Sequence, residues 1–363
     1  MTYRALAINP GSTSTKIAVF DDEQEVFTKT LRHDPVELEK FGGIIEQYEF
    51  RKELVLEAMK ENNVTPESLD ACVGRGGLVR AVEGGTYPVS EKMLADLSDP
   101  TKWGRIHASN LGAFIASSIA DDMGKPSFIV DPVTVDEFDE IARVSGIPEI
   151  QRQSLFHALN IRYTARLLAK QLNIDFHTMN MIAVHMGGGI SVCAVEQGRV
   201  TDTNNALLGM GPFSPQRAGA LPIGDLLDMA FSGKWSKKEL QKYLSKKAGL
   251  MAYLVTDDGV MIEKEIDKVK AGQDGDEKVK FYHDAMCYQV AKEMGAMATA
   301  LCGKVDAIFL TGGLVYNPHL REELKRRTES IAPLYFFPGE KEMEALTQGA
   351  IRVLKGEEEA KVY

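Results

Sequence analysis

Asn9-Pro10-Gly11-Ser12-Thr13-Ser14-Thr15-Lys16 is the stretch whose reading decides the fold. It stands between two short apolar runs, Ala5-Leu6-Ala7-Ile8 before it and Ile17-Ala18-Val19-Phe20 after it. Two such runs joined by a Gly- and Ser-rich turn predict a β-hairpin. Gly11 permits close approach to the backbone, Ser12, Thr13, Ser14 and Thr15 offer hydroxyls, and Lys16 supplies a cation. A buried strand feeding such a turn has the makings of a phosphate cradle. An ordinary polar hairpin turn is the alternative. The first apolar run gives way to Asn-Pro-Gly and not to a small-residue cleavage site, so it reads as a strand and not as a signal peptide.

The same plan recurs twice. Met181-Ile182-Ala183-Val184 runs into His185-Met186-Gly187-Gly188-Gly189 and then Ile190-Ser191-Val192-Cys193-Ala194-Val195. Ala307-Ile308-Phe309-Leu310 runs into Thr311-Gly312-Gly313. Asp21-Asp22 and Gln197-Gly198 then close a further turn in the first two copies. Two related three-strand openings half a chain apart predict an internally duplicated α/β fold. The N–H groups of Gly187, Gly188 and Gly189 can converge on an anion, although a flexible loop would carry the same glycines. Gly312 and Gly313 leave room for a flat ring against the backbone. Each turn is weak evidence alone; the three in this order can enclose one nucleotide.

Bulk properties narrow the class. The chain has 363 residues, too many for one ordinary core, and its 44% hydrophobic content supports real ones. A net charge of −10 argues against a nucleic-acid partner or an anionic membrane surface. Cys72, Cys193, Cys287 and Cys302 are scattered without metal-ligand or Cys-x-x-Cys spacing and read as reduced core thiols. No apolar run approaches the roughly 20 residues of a membrane helix. A soluble, cytoplasmic protein is the expectation.

Helical signals fill the spaces between the turns. Residues 154–172 place Leu155, Phe156, Leu159, Leu167, Leu168 and Leu172 largely on one stripe, with Arg162, Arg166 and Lys170 elsewhere. Ser236-Lys237-Lys238-Glu239 is a capping box, and Asn317-Pro318 is an N-cap followed by N1. The charged stretch 263–280 reads as a solvated helix and loop, and a last helix is expected over 342–354. The domain boundary is expected near the 150s: 1–150 with the C-terminal 344–363 would form one domain, and 151–343 a second that carries most of the nucleotide site.

Read together, these motifs resemble the superfamily of actin, hexokinase and Hsp70 ATPases, a duplicated ribonuclease H-like fold with the nucleotide in a cleft between two domains. More narrowly the chain resembles the acetate and butyrate kinase family, and its butyrate kinases most. The residues that carry this resemblance are the opening turn, Gly74-Arg75-Gly76-Gly77, Ser154-Leu155-Phe156-His157, His185 to Gly189, and Phe309-Leu310-Thr311-Gly312-Gly313, all in family order over essentially the full length. The resemblance implies ATP and Mg²⁺, a short-chain fatty acid as acceptor, and a homodimer or higher homo-oligomer.

The chemistry of that reaction agrees with the residues. A carboxylic acid is already ionised at neutral pH, so no general base is needed. The obstacle is repulsion between the acceptor carboxylate and the γ-phosphate, which calls for cations and neutral donors. Arg75 and Arg217, the latter in Ser214-Pro215-Gln216-Arg217-Ala218-Gly219, sit among small residues where a surface ion pair is less common. The resemblance implies that they bind the carboxylate and stabilise the transferring phosphoryl group, with His157 donating to the transition state and His107 near the substrate. By itself His157 would read as a core histidine. The resemblance also makes His185 the phosphate-loop histidine. Asn9, Ser12, Ser14, Lys16, His185, Gly187, Gly188, Gly189, Gly312 and Gly313 form the expected nucleotide and phosphate set. Asp131, at a strand end before Pro132, fits a metal ligand or a turn cap. Glu342 matches the family's late glutamate, with Glu340 or Glu344 as alternatives in register, and Asn9 completes the expected metal set.

Where acetate kinases carry bulky residues and a further histidine after the first arginine, this chain has Gly76-Gly77. That volume difference predicts room for butyrate or a branched analogue such as isobutyrate. Acetate or propionate is one alternative acceptor, and a sugar or polyol is another, with Asp131 as its base. An actin-like filament protein is the non-enzyme alternative.

Overall fold

The computed structural model describes residues 1–102 and 106–363, which divide into two compact units, Met1–Asp136 with Lys341–Tyr363, and Glu137–Glu340. In the first unit the chain forms β1 (Arg4–Pro10), β2 (Ser14–Asp21), β3 (Gln24–Arg32), α1 (Pro35–Leu38), α2 (Tyr48–Glu61), β4 (Ala71–Arg75), β5 (Thr86–Pro88), α3 (Glu91–Ser98), α4 (Leu111–Asp121) and β6 (Ser127–Val130). The second unit contributes α5 (Ala158–Leu172), β7 (Asn180–Met186), β8 (Ile190–Glu196), β9 (Arg199–Thr203), α6 (Ile223–Phe231), α7 (Lys237–Lys246), α8 (Leu250–Leu254), α9 (Gly259–Lys270), α10 (Glu277–Ala300), β10 (Ala307–Gly312), α11 (Pro318–Thr328) and β11 (Leu334–Pro338). The chain then returns to the first unit with α12 (Glu342–Leu354).

The first sheet has the order β3-β2-β1-β4-β6-β5. β1 pairs antiparallel with β2 and parallel with β4, and β4 pairs parallel with β6. Leu6, Ile8, Ile17 and Val19 bury one face against Val55 and Met59 of α2 and Leu111, Ile115 and Ile119 of α4. Gly74 lets β4 lie directly on the backbone of Gly112 in α4, where a Cβ would collide. The second sheet has the order β11-β10-β7-β8-β9, with β7 parallel to β10 and β10 parallel to β11. Its even-numbered positions, Ile182, Val184, Val192, Ile308 and Leu310, meet Ile266 of α9, Met286 and Val290 of α10 and Leu320 of α11. Strand alternation turns the odd positions the other way, toward α5, which contacts β7 and β10.

Both three-strand openings form as the apolar runs predict. Asp22 and Gln197 adopt φ of +50° and +49° in the tight turns that follow them. The predicted caps are also present: Ser236 and Glu239 make a reciprocal capping box, and Asn317 accepts from His319 and Leu320 at the start of α11.

Three expectations are corrected. The first unit ends at Asp136, ahead of the 150s, and Glu137 belongs with the second: its carboxylate accepts from Arg162 and Val200 N–H, both at 2.9 Å. Arg162 of α5, off the apolar stripe, is buried, 4% exposed. α5 starts at Ala158, so Leu155 and Phe156 precede the helix. Cys302 is exposed beside the end of α10, unlike the three other cysteines, which are buried. Among the described residues no helix is long and apolar enough to cross a membrane.

Candidate active site

In the first unit the site starts from three adjacent parallel strands. Ile8 of β1 is in register with Gly74 of β4, and Arg75 with Val130 of β6. Asn9, Arg75 and Asp131 therefore stand in a row at the carboxyl ends of the strands, where open α/β sheets place their ligands. Glu342, the first residue of α12, joins them. Its Oε1 lies 2.6 Å from Arg75 Nη1, and its Oε2 accepts from Asn9 Nδ2 at 2.7 Å. Arg75 Nη1 also donates to Asn9 Oδ1 at 3.3 Å. Of the three late glutamates considered, it is Glu342 that meets Arg75 and Asn9.

Asp131 is held differently. It is buried with φ of +39°, in the left-handed region that Asp tolerates better than most residues. Its carboxylate accepts from Gly85 N–H at 2.7 Å while its own N–H donates to the Gly85 carbonyl at 3.0 Å. This exchange ties Asp131 to Gly85 at the end of β6. Among the described residues no group of three or more His, Cys, Asp and Glu side chains could hold a metal by itself. The Glu342 carboxylate with the Asn9 amide oxygen still fits Mg²⁺, which keeps several waters and takes one or two carboxylates together with substrate phosphates.

His107 is exposed and caps the short turn after it, its Nδ1 lying 2.8 Å from Ser109 Oγ. Asn110 of that turn is buried, and its Oδ1 accepts from Leu78 N–H at 2.9 Å. This packing overturns the volume argument at Gly76-Gly77. A Cβ on Gly76 would come within 2.6 Å of Pro132 Cβ, and one on Gly77 within 2.6 Å of Asn110 Cα. At both positions the place of a side chain is taken by neighbouring atoms, so the glycines serve close packing. Ser12 lies on the β1–β2 turn, Ser14 opens β2 and Lys16 stands within it, with Ser12 and Lys16 exposed.

The second unit repeats the arrangement. Thr311 is in register with His185, and Gly312 with Pro338, so the ends of β7, β10 and β11 are level. The His157 and His185 rings stack, with centroids 3.9 Å apart and planes inclined by 16°. His157 Nδ1 lies 2.9 Å from Ser191 Oγ. His185, 2% exposed, has Nδ1 3.0 Å from Asn160 Oδ1 and Nε2 3.5 Å from Glu340 Oε1. An amide oxygen facing Nδ1 makes that nitrogen the donor and leaves Nε2 toward Glu340. Among the described residues the Asn160 Nδ2 group is buried without a hydrogen-bond partner.

Arg217 is placed by its own turn. Ser214 N–H donates to the Arg217 carbonyl at 3.0 Å, and Ser214 Oγ donates to the Gly188 carbonyl at 2.7 Å. The guanidinium lies over Gly189, where any Cβ would strike it, and Nη1 donates to the Ala206 carbonyl. Burial lowers its pKa from the usual arginine value, and among the described residues its Nε is buried without a partner. Gly187, Gly188 and Gly189 join β7 to β8, with Gly187 N–H donating to Gly189 O at 3.1 Å. Gly312, at φ of +99°, packs on the Met186 backbone and exchanges two 3.0 Å hydrogen bonds with Gly339, while Gly313 faces open space.

Comparison with known proteins adds what geometry cannot. The sequence profile of the acetokinase family matches residues 149–335. A probable butyrate kinase of Clostridium botulinum (strain Eklund 17B / Type B) is 50% identical over 363 residues, covering 100% of both chains. The chain belongs to the acetokinase family. A second relative, butyrate kinase 2 of Clostridium acetobutylicum, is 49% identical over 100% of both chains. Solved structures show the same two-domain, actin-like fold. Porphyromonas gingivalis acetate kinase superposes with a TM-score of 0.77 at 18% identity, over 97% of this chain and 100% of that one. A propionate kinase from Francisella tularensis gives 0.72 at 18%, over 96% and 98%.

Several residues of this acetokinase's site carried no readable signal in sequence. Ser191 and Asn160, which hold the two stacked histidines, are isolated polar residues in apolar runs. Only their burial, 0% and 2% exposed, singles them out. Arg51, described below, was indistinguishable from a solvated helix face.

Proposed function

We propose that this acetokinase transfers the γ-phosphoryl group of ATP to the carboxylate of butyrate or a branched analogue such as isobutyrate, giving ADP and an acyl phosphate. One observation carries the reading: identity of about half the residues, end to end, with relatives named butyrate kinases. The chemistry is that of a carboxyl-group phosphotransferase. The acceptor arrives ionised, so the chain's task is to hold two anions together in line. Arg75 binds the carboxylate and Arg217 faces the charge that develops on the transferring group, with His157 as a neutral or cationic donor beside it. His107 lies on the substrate side. The turns at Ser12 to Lys16 and at His185 to Gly189 hold phosphates, and Gly312-Gly313 receives the base. Glu342 and Asn9 hold Mg²⁺, which when bound supplies neutralising charge to the phosphates. Transfer is direct, with no phosphoenzyme.

The sugar-kinase alternative needs a carboxylate base facing the acceptor. Asp131 was its candidate, and that carboxylate is engaged by Gly85 N–H. We further propose a cytoplasmic homodimer. α6 supports self-association, since Ile223, Leu227 and Phe231 follow one another at i, i+4 and i+8 and are 76%, 51% and 85% exposed.

The test is a hydroxylamine-trapping assay with ATP, Mg²⁺ and acetate, propionate, butyrate, isobutyrate or isovalerate. Acyl hydroxamate should form fastest from the four-carbon acids. No hydroxamate from any acid, or phosphorylation of glycerol or a hexose instead, would overturn the proposal.

A further inference from the structure

Arg51 heads the large side chains that are fully buried, with 0% of its surface exposed. It lies on α2, beneath the β1–β2 turn. Nη1 donates to the carbonyls of Gly11 at 2.8 Å and Ser14 at 3.2 Å, and to Thr15 Oγ1 at 3.2 Å. Nη2 donates to the Ser12 carbonyl at 3.1 Å and to Gln47 Oε1 at 2.9 Å. The remaining turn carbonyl, Thr13, accepts from His33 N–H at 2.9 Å. The Arg51 fork therefore draws three carbonyls of one turn inward.

Two consequences follow. A trans peptide plane points its N–H opposite to its C=O. With the Gly11 and Ser12 carbonyls turned toward Arg51, the N–H groups of Ser12 and Thr13 point away from it, on residues that are exposed. The second consequence is electrostatic. Buried cations are normally opposed by a carboxylate, because desolvation is otherwise unrelieved. The five oxygens that Arg51 reaches are all neutral. Burial lowers its pKa only to about 10, so the charge persists at neutral pH. Beside it His33 is pushed down to about 4 by burial and by Arg51, and is uncharged. Among the described residues the turn thus rests on a positive charge with no carboxylate paired to it.

We propose that Arg51 is a positioning residue for the ATP phosphates: it fixes the 11–15 turn with its N–H groups facing outward, and its own charge favours an anion on the far side. This rests on the reading that the turn binds phosphate. Arg51 touches no substrate itself. It acts through the backbone it holds.

The experiment compares wild-type chain with Arg51→Lys, using calorimetric titration with ATP and with inorganic tripolyphosphate, and steady-state KM values for ATP and butyrate. Lysine keeps the charge but cannot hold three carbonyls in a fixed fork. Affinity for ATP and for tripolyphosphate should fall about tenfold, while KM for butyrate stays within about twofold. Unchanged ATP affinity in folded Arg51→Lys would overturn the proposal, as would KM values for ATP and butyrate rising in proportion. If Arg51→Lys does not fold, Gln47→Leu removes one anchor of the fork; a rise of about fivefold in the ATP dissociation constant is expected, and no rise is contrary. The tripolyphosphate arm needs no acceptor. If the wild-type chain binds it in an Arg51-dependent way yet phosphorylates no acid, the acceptor reading fails and this one stands. A wild-type chain that binds neither probe refutes both.

Discussion

Replacing Arg75 by Ala separates a catalytic role from a structural one. In the structure its guanidinium pairs with Glu342 at 2.6 Å and with Asn9 at 3.3 Å. The Arg75 side chain is 33% exposed and that of Glu342 21%, so water screens the pair. Pairs of this kind contribute about 0.2–1 kcal/mol to stability. After truncation Glu342 still accepts from Asn9, so no buried charge is stranded. The melting temperature should therefore fall by no more than about 4 °C. The catalytic loss should be far larger. Removing one charge partner of a transition state costs about 10²–10³-fold in kcat, or about 2.7–4 kcal/mol. The assay is hydroxamate formation from butyrate under saturating ATP, with thermal unfolding monitored on the same preparation. Arg75→Lys is the control, since it keeps the charge without the planar fork and should recover only part of the loss. Turnover within about threefold of wild type in Arg75→Ala would refute the role. A large drop in melting temperature with proportionate loss of activity would show that the Glu342 pair is there for the fold.

Other perturbations follow from particular groups. Arg162 and Glu137 are each 5% exposed at the side chain and 2.9 Å apart, so Arg162→Met strands a buried carboxylate and should destabilise the chain by about 3–5 kcal/mol in urea unfolding; a loss below about 1 kcal/mol would contradict that pairing. His33 has its pKa lowered to about 4 by burial first and Arg51 second, against an unfolded value near 6.5. The neutral form is the folded one, so its contribution is complete above pH 6.5 and is lost as pH falls toward 4; His33→Gln should flatten the stability curve across that window, and an unaltered slope would exclude His33 as its cause. Phe231→Asp, which charges the exposed stripe of α6, should convert a dimer to a monomer in sedimentation velocity at unchanged kcat per folded chain; identical sedimentation of variant and wild type would remove α6 from the interface.

The architecture was legible because its signals are local. β-branched runs broken by glycine turns define both three-strand openings, and Asn317-Pro318 and Ser236 with Glu239 announce their helices through caps that involve neighbours only. What was not legible depends on distant pairing. Arg51 sits between Phe50 and Lys52 in a charged helix, and nothing within reach in sequence says that its partners are carbonyls some forty positions earlier. The partner of Arg162, Glu137, lies 25 positions earlier and outside its helix. The Gly76-Gly77 pair read as empty volume, because sequence records side chains removed and not the Pro132 and Asn110 atoms that fill their place. The union of Asn9, Arg75 and Glu342 follows from sheet register and from the return of α12, neither of which is written in any one motif.

The claim that a carboxylate oxygen attacks phosphorus is tested most directly with butyrate carrying ¹⁸O in its carboxyl group. The chain is incubated with ATP and Mg²⁺, and the acyl phosphate is observed by ³¹P NMR. The account predicts a butanoyl phosphate resonance displaced by ¹⁸O in the bond to phosphorus. An acyl phosphate without ¹⁸O in that bond, or no acyl phosphate at all, would contradict it.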